Sequence, residues 1–384
     1  MKIIHTSDWH LGRLIYGCSL IGDQEYFIKE IFLPYVINEQ PQLVVIAGDI
    51  FDRQIAPVEA IRLFNCALGV LYERGIKIAV IAGNHDGGDR LAAYSGLLRG
   101  SGLYISARPF DTPPLYLEDK YGGVDVHFLP YFDTATARDI LNDDSIRGAE
   151  EAYKAMINEI KKGFKTGRKN ILIAHCFVAG SSVCESESPS FIGGSGEVGA
   201  SVFEGFDYVA LGHLHGPQQP SKTVFYSGSP LKYSFDEEKQ KKSMIVADFN
   251  DNKVDIKRLP IKSMRDMRTI TGTLDELILA SKSDKNSDDY LYAMLTNERP
   301  IYEPMAQLRE YYPNILGLHP GWLTTSGNGG ARDELREKLR SKTAGDSMFF
   351  EEFLKQVCGI TPGPKEIAVF EEVMAYISAE GGNI

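Results

Sequence analysis

Residues 2–12 of the chain read KIIHTSDWHLG, an apolar run that ends in the polar triplet Asp8-Trp9-His10. Short apolar runs that are rich in Ile and Val and closed by polar or small residues are typical of strands in the centre of a sheet. Four further runs share the pattern, and Gly or His directly follows each of them: Gln42–Ala47, Ile76–Ala82, Asn170–Ala174 and Tyr208–Leu211. Helical patterns around Asp23–Glu39 and Pro57–Arg74 alternate with the first three runs, which predicts a layered α/β fold.

The residues just past these five runs are potential metal ligands. Side chains beyond the carboxyl ends of strands in a layered α/β sheet converge on one crevice. Oxygen and imidazole donors without a thiolate suit manganese, iron or zinc. Two ions about 3.5–4 Å apart need a shared anion, and Asp49 is the best candidate for this bridge. The sequence therefore predicts a two-metal hydrolytic site with the ligands Asp8, His10, Asp49, Asn84, His175, His213 and His215.

Each of these motifs also has an ordinary structural explanation. Asp-x-His is common in loops, and Gly83-Asn84-His85-Asp86 has the composition of a β-turn. A single His after a strand is usually a satisfied polar residue, and the two His of Gly212-His213-Leu214-His215 could face opposite ways. Their joint occurrence in this order, each at a strand end, favours the metal site.

The ordered motifs resemble those of the calcineurin-like metallophosphoesterase superfamily. Within it, residues 5–12 (HTSDWHLG), the segment Gly48-Asp49-Ile50-Phe51-Asp52 and the later segments Gly228-Ser229-Pro230 and Ser234-Phe235-Asp236-Glu237 are similar to the SbcD family, the bacterial branch of the double-strand-break repair nucleases. The motifs that carry the resemblance cover about residues 1–260. The resemblance, together with the mixed strand order, implies a four-layer αββα metallophosphoesterase sandwich with a small α+β capping domain and C-terminal helices.

The resemblance also implies a role for each site residue. Asp8, His10, Asp49 and His215 would hold one metal ion, and Asp49, Asn84, His175 and His213 the other. Both ions would be divalent, with manganese expected. His85 would be the catalytic histidine that contacts the scissile phosphate and protonates the leaving oxygen. Asp52 would orient it, because a carboxylate beside an imidazole favours the protonated ring. Arg53 matches a phosphate-contacting arginine of the phosphatase branch, but a solvated surface arginine is an equal alternative.

Composition restricts the function further. The chain has 384 residues and a formal net charge of −11, which argues against indiscriminate binding of nucleic acid. Five cysteines without a C-x-x-C pair indicate reduced thiols and a cytoplasmic location. No segment has the 18 or so apolar residues of a membrane span, and the early first strand leaves no room for a signal peptide.

The pattern of elements predicts three parts of the chain. Residues 1–260 form the metallophosphoesterase nuclease domain, residues 261–326 a capping domain that binds DNA, and residues 327–384 a linker with partner-binding helices. Two amphipathic helices are predicted in the last part, Asp346–Gly359 and Pro364–Glu380. Their apolar stripes could instead pack on the chain's own domains.

The resemblance implies a manganese-dependent DNA nuclease that acts on DNA ends and hairpins in repair and recombination. It would be a single-strand endonuclease and a double-strand exonuclease, and the second activity would depend on ATP. The chain has no Gly-x-x-x-x-Gly-Lys-Ser/Thr phosphate loop, so ATP would be used by a partner, the SbcC ATPase. A homodimer within a heterotetramer is expected. The alternatives are a phosphoprotein phosphatase, a nucleotide phosphodiesterase and, last, a non-catalytic scaffold.

Overall fold

The computed structural model describes residues 1–187, 196–250, 253–322 and 362–379, together with residues 347, 350, 351 and 354. The chain divides into two compact units, Met1–Met267 and Arg268–Ile384. None of the helices in the described part of the chain is long and apolar enough to cross a membrane.

Two six-stranded sheets form the first unit. In spatial order, the strands of the first sheet are Val254–Pro260, Ser243–Phe249, Lys2–Thr6, Leu43–Ala47, Lys77–Ile81 and Leu103–Ser106. Those of the second sheet are Gln218–Ser221, Val224–Tyr226, Tyr208–Gly212, Lys169–His175, Gly122–Leu129 and Leu115–Asp119. The strand Lys2–Thr6 runs parallel to Leu43–Ala47, which runs parallel to Lys77–Ile81. Lys169–His175 and Tyr208–Gly212 are parallel too, with His175 beside Gly212.

The two sheets share one apolar core. Val45 and Ile81 of the first sheet belong to the same buried cluster as Ile173 and Ala210 of the second. Because both faces of each central strand are covered, these strands are apolar at nearly every position, which is the pattern of a buried parallel strand.

Helices cover the outer face of each sheet, which completes the four-layer αββα sandwich expected from the sequence. On the second sheet, the helices Thr134–Leu141 and Gly148–Lys161 contribute to a second buried cluster. On the first, Phe27, Phe32 and Phe64 pack edge-on around the buried ring of Trp9. Phe27 and Phe32 lie in the π-helical turn Phe27–Phe32, which joins the helices Ile21–Tyr26 and Leu33–Glu39, and Phe64 lies in the helix Val58–Glu73. The π-helical turn ends two residues before Pro34.

The short segments between strands and helices complete the first unit. They include the helices Gly88–Leu91 and Ser95–Leu98, the 3₁₀ turns Arg99–Ser101, Ala200–Phe203 and Phe235–Glu237, and the two-residue strands Leu14–Ile15, Cys18–Ser19, Phe177–Val178 and Glu197–Val198.

The second unit is a small α+β structure. Its three strands are Met267–Gly272, Tyr290–Leu295 and Ile315–Pro320, in that spatial order. The helix Leu274–Ser281 starts at a capping box made by Thr273 and Glu276, and Pro304–Arg309 is a second, short helix. Leu277, Leu291, Leu308 and Ile315 are among the residues that form its core.

The end of the chain contains the helix Pro364–Ala379, close to the predicted Pro364–Glu380. Of the other predicted helix, Asp346–Gly359, only four residues are described, and all four are helical. One of them, Phe350, stacks on Phe370 with 4.2 Å between ring centroids. The predicted linker, Gly327–Asp333, lies outside the described residues.

Glycine is required where the two sheets approach at their carboxyl ends. A Cβ added to Gly212 would lie 1.9 Å from the carbonyl oxygen of Ala47 and 2.9 Å from Nδ1 of His175. A side chain at this position would force the strands apart.

Gly212→Ala is therefore expected to destabilise the first unit. We expect the free energy of unfolding to fall by about 3 kcal/mol, the upper part of the range for overpacked sites, in urea denaturation followed by the fluorescence of buried Trp9. Gly22→Ala is a matched control, because the added carbon meets nothing within 4 Å and the change should stay under about 1 kcal/mol. Equal stability of the two variants would contradict the close approach.

Candidate metal centre

The structure brings all seven predicted ligands together. Nε2 of His10 lies 3.1 Å from Nε2 of His215, and one ligand atom each of Asp8, His10 and His215 lie within 4.8 Å of one another. Asp8, Asp49 and His175 form a second such group. Oδ1 of Asn84 lies 3.0 Å from Nε2 of His175 and 3.0 Å from Nδ1 of His213.

Asp49 lies between the histidines of the two groups. Its Oδ2 is 3.7 Å from Nε2 of His10 on one side and 3.4 Å from Nε2 of His175 on the other. Its Oδ1 accepts a hydrogen bond from the backbone N–H of His85 at 2.9 Å, which fixes the carboxylate plane. One oxygen of Asp49 thus faces both groups, as a bridging anion requires.

The donor set fits a cation. Nδ1 of His175 lies 2.9 Å from the carbonyl oxygen of Ala47, which can only accept, so Nδ1 carries the ring proton. Nε2 faces Oδ1 of Asn84 and Oδ2 of Asp49, which are acceptors as well, so this nitrogen either carries a second proton or directs its lone pair at a cation. Ligands that bind one metal ion at about 2.0–2.2 Å lie about 3 Å apart, and the separations here match.

The titration behaviour of the buried acids and imidazoles leads to the same conclusion. Burial, reinforced by the neighbouring charge of Asp49, raises the pKa of Asp8 to about 8. Burial lowers the pKa of His175, but the carboxylate of Asp49 outweighs it and raises this pKa to about 9. Without an ion, a proton therefore supplies the positive charge that the buried carboxylates need.

The backbone at the site is strained. Asp8, His10, Asp49 and His213 have φ angles of 53°, 43°, 47° and 102°, in the region that favours glycine. Such conformations cost on the order of 1–3 kcal/mol each and persist only where the surroundings impose them. One such contact is the hydrogen bond from the His213 backbone N–H to Oδ1 of Asp8, at 2.8 Å.

The comparisons with known proteins agree with this geometry. Residues 1–217, more than half of the chain, match the calcineurin-like phosphoesterase family. The chain belongs to that family. Residues 263–357 match the SbcD C-terminal domain, described as the type 5 capsule protein repressor C-terminal domain. The two matches together fit the SbcD nuclease subunit, in agreement with the resemblance seen in the sequence. The first unit is accordingly a metal-dependent phosphoesterase that uses divalent ions.

His85 lies beside the ligands, with its ring centroid 4.8 Å from that of His10. Asp52 holds it, but not in the way that the sequence predicted. Nδ1 of His85 lies 2.9 Å from the backbone carbonyl oxygen of Asp52, whereas the Asp52 carboxylate accepts a hydrogen bond from Arg13 at 3.2 Å. The orienting hydrogen bond is therefore a backbone one, with a carboxylate oxygen of Asp52 within 4.8 Å of a ring nitrogen of His85.

The sequence did not indicate Arg13, which is more buried than Arg53. The side chain of Arg53 is 54% exposed, in keeping with the surface alternative. Arg13 is only 14% exposed. Besides Asp52, it contacts the carbonyl oxygen of Ser186 at 2.9 Å and the face of the Tyr233 ring.

Asp86, the last residue of the Gly83-Asn84-His85-Asp86 motif, holds two ligand loops together. Its carboxylate accepts hydrogen bonds from the backbone N–H groups of Ile50, Phe51 and Gly83, at 3.2, 2.9 and 2.9 Å. It thereby ties the loop of Asp49 to the loop of Asn84. The sequence indicated only that the motif has the composition of a turn, and not that Asp86 joins two loops.

We expect the affinity for divalent ions to rise with pH between about 6 and 8. In the ion-free protein both Asp8 and His175 are protonated below their pKa values of about 8 and 9, and each must lose its proton to become a ligand. The apparent association constant should then rise up to about tenfold per pH unit for each proton displaced. Calorimetry in two buffers with different heats of protonation counts these protons. Binding without proton release would contradict the prediction.

Proposed function

We propose that this chain is a manganese-dependent DNA nuclease that acts in the cytoplasm on DNA ends and hairpins during repair and recombination. It would cleave single-stranded DNA as an endonuclease and double-stranded DNA as an exonuclease, the latter with ATP used by an SbcC ATPase partner. One observation carries the proposal: a calcineurin-like phosphoesterase domain and an SbcD C-terminal domain occur in the same chain.

We assign the ligands as the resemblance to the calcineurin-like phosphoesterases implies. Asp8, His10, Asp49 and His215 would hold one ion, and Asp49, Asn84, His175 and His213 the other. The distances of Asp49 to both groups support its place as the bridge. Imidazole, carboxylate and amide donors without sulfur are consistent with manganese.

When bound, the two ions neutralise charge on the phosphate oxygens and lower the pKa of the attacking water. The protein's own groups then direct the reaction. Because the carbonyl of Asp52 accepts from Nδ1 of His85, the other nitrogen of this ring, Nε2, is the one available to a substrate. A protonated His85 can contact the scissile phosphate through Nε2 and give its proton to the leaving oxygen.

Charge at the centre also attracts a phosphate group. Two divalent ions bring four positive charges, and the ligand carboxylates are only two, those of Asp8 and Asp49. The crevice is then cationic in a chain with a net charge of −11. This localises the attraction for DNA to the site of cleavage.

The substrate class is tested by comparing linear duplex DNA, single-stranded DNA, bis-p-nitrophenyl phosphate and p-nitrophenyl phosphate in manganese buffer, with and without the ATPase and ATP. A nuclease degrades single-stranded DNA alone, and degrades duplex ends when the ATPase and ATP are present. Efficient hydrolysis of the monoester with no cleavage of DNA would favour the phosphatase alternative.

Asp49→Ala and His85→Ala should separate metal binding from catalysis. Asp49→Ala removes the proposed bridge, so we expect fewer bound manganese ions in calorimetry and no DNA cleavage. His85→Ala should keep both ions and lower turnover by about 10²–10⁴, the usual contribution of a general acid. Two bound ions and normal cleavage in Asp49→Ala would refute the bridge, and loss of an ion in His85→Ala would make His85 a ligand.

We further propose that the chain forms a homodimer through an apolar surface of the first unit. On the helix Val58–Glu73 and the segment 88–98, Val58, Ile61, Tyr72, Tyr94 and Leu97 are between 42% and 79% exposed. Three of them, Ile61, Tyr72 and Tyr94, line an apolar groove of about 680 Å³ together with Phe64, Leu68 and Leu98 among others. Contiguous exposed apolar surface of this kind marks interaction sites.

Leu97→Glu is expected to convert the dimer into a monomer, because a charge would be buried at the interface. Light scattering measures the mass directly. Leu279→Glu is the matched control: Leu279 is 65% exposed on a helix of the second unit, and this variant should remain dimeric. The surface assignment fails if Leu97→Glu leaves the mass unchanged.

The end of the chain is our candidate for binding the ATPase. Val369 and Val373 are 60% and 49% exposed on the helix Pro364–Ala379. They are one turn apart, so they form an apolar stripe of the kind that anchors a helix to a partner.

A further inference from the structure

A buried ion pair lies directly behind His215. The side chains of Glu237 and Lys242 are 0% and 5% exposed, and Nζ of Lys242 contacts Oε2 of Glu237 at 2.5 Å. The same ammonium lies within hydrogen-bond distance of the carbonyl oxygen of His215, at 2.8 Å, Oγ of Ser229, at 3.0 Å, and Oε1 of Gln240, at 2.8 Å. Burying an ion pair costs several kcal/mol of desolvation, and apolar residues often replace it at no loss. Its position next to a ligand calls for another explanation.

Ser186 connects this ion pair to the imidazole. Its Oγ lies 2.5 Å from Oε1 of Glu237 and 2.6 Å from Nδ1 of His215. A hydroxyl has one proton to donate, and the carboxylate, paired with Lys242, can only accept. Ser186 therefore donates to Glu237 and accepts from His215, which places the ring proton of His215 on Nδ1. Nε2 of His215 then carries no proton, and its lone pair faces Nε2 of His10 at 3.1 Å.

We propose that Ser186 and Glu237 are positioning residues that fix the tautomer and orientation of His215 as a metal ligand, with Lys242 holding the carboxylate of Glu237. This inference rests on the proposed function, in which His215 is a ligand of one ion. It also explains why the segments Gly228-Ser229-Pro230 and Ser234-Phe235-Asp236-Glu237 accompany this centre: they supply Ser229 and Glu237 to the network.

Several contacts hold Ser186 in place, so its position does not depend on one rotamer. The backbone N–H of Glu185 donates to Asp236 at 2.9 Å. The carboxylate of Glu187 accepts from the backbone N–H groups of Cys184 and His215, at 2.9 and 2.6 Å. Arg13 donates to the carbonyl oxygen of Ser186 at 2.9 Å. The segment Cys184–Glu187 is thus fastened to His215 by both backbone and side chain.

The two ligand imidazoles His175 and His215 are oriented in different ways. His175 uses a backbone carbonyl, that of Ala47, which no substitution can remove. His215 depends on a side-chain relay, which a single hydroxyl deletion interrupts. Partners of this kind behind a ligand change metal affinity by about 10–100-fold, so the effect is measurable at one ion without disturbing the other.

Ser186→Ala tests the relay by calorimetric titration of the full-length protein with manganese. We expect one of the two ions to bind about 10–100-fold more weakly and the other to bind as in the wild type. Ser186→Thr keeps the hydroxyl and should restore the affinity. Ser234→Ala is the matched control, because Oγ of Ser234 also lies 3.0 Å from Oε1 of Glu237 and bonds to Asp236, but is not in the chain to His215. Unchanged affinity in Ser186→Ala, or an equal loss in Ser234→Ala, overturns the relay.

The tautomer can be read directly in the ion-free protein by ¹⁵N NMR of labelled histidine, with His215→Gln to assign the signal. The relay requires the proton on Nδ1 in the wild type and an altered tautomer mixture in Ser186→Ala. A proton on Nε2 in the wild type refutes it. Neither measurement uses DNA, so a failure of the proposed nuclease activity would appear separately, in the cleavage assay.

Discussion

The structure depends on one constraint: carboxylate oxygens and imidazole nitrogens are buried close together at a single site. Asp8 and Asp49 are almost fully buried, and the imidazole nitrogens of His10, His175 and His215 face them or one another. Such groups repel unless a positive charge lies between them. Protons on Asp8 and His175 meet this need in part, and divalent ions meet it fully. The rest of the first unit holds these groups at this separation.

The surrounding fold supplies the rigidity that this arrangement needs. Parallel strands from both sheets end at the same edge, and Gly212 lets the backbones of the two sheets touch there. The backbone of Asp8 and Asp49 is strained, and hydrogen bonds hold it in place. They include those that Asp86 accepts from the loops of Asp49 and Asn84. The stability of the core thus holds the backbone at the strand ends in conformations that are unfavourable by themselves.

Much of the fold was predictable because its elements repeat local patterns. The central strands are apolar at nearly every position, and the helix Leu274–Ser281 begins at a capping box whose Thr and Glu can be recognised in the sequence. The order of the motifs also predicted which side chains would meet. The role of Asp52 was not predictable, since a turn decides whether its carbonyl or its carboxylate bonds to His85. Ser186 was missed for a similar reason: it lies in an irregular segment without periodicity.

The sequence by itself determined the layered α/β class, the strand ends and the types of donor that follow them, because periodicity and residue chemistry are local properties. Only the tertiary structure decided which atom of each side chain is used. The proton on His175 is set by a carbonyl 128 positions away and that on His215 by Ser186, Glu237 and Lys242. Hydrogen bonds depend on direction and on distances within a few tenths of an ångström, and these exist only once distant segments have packed.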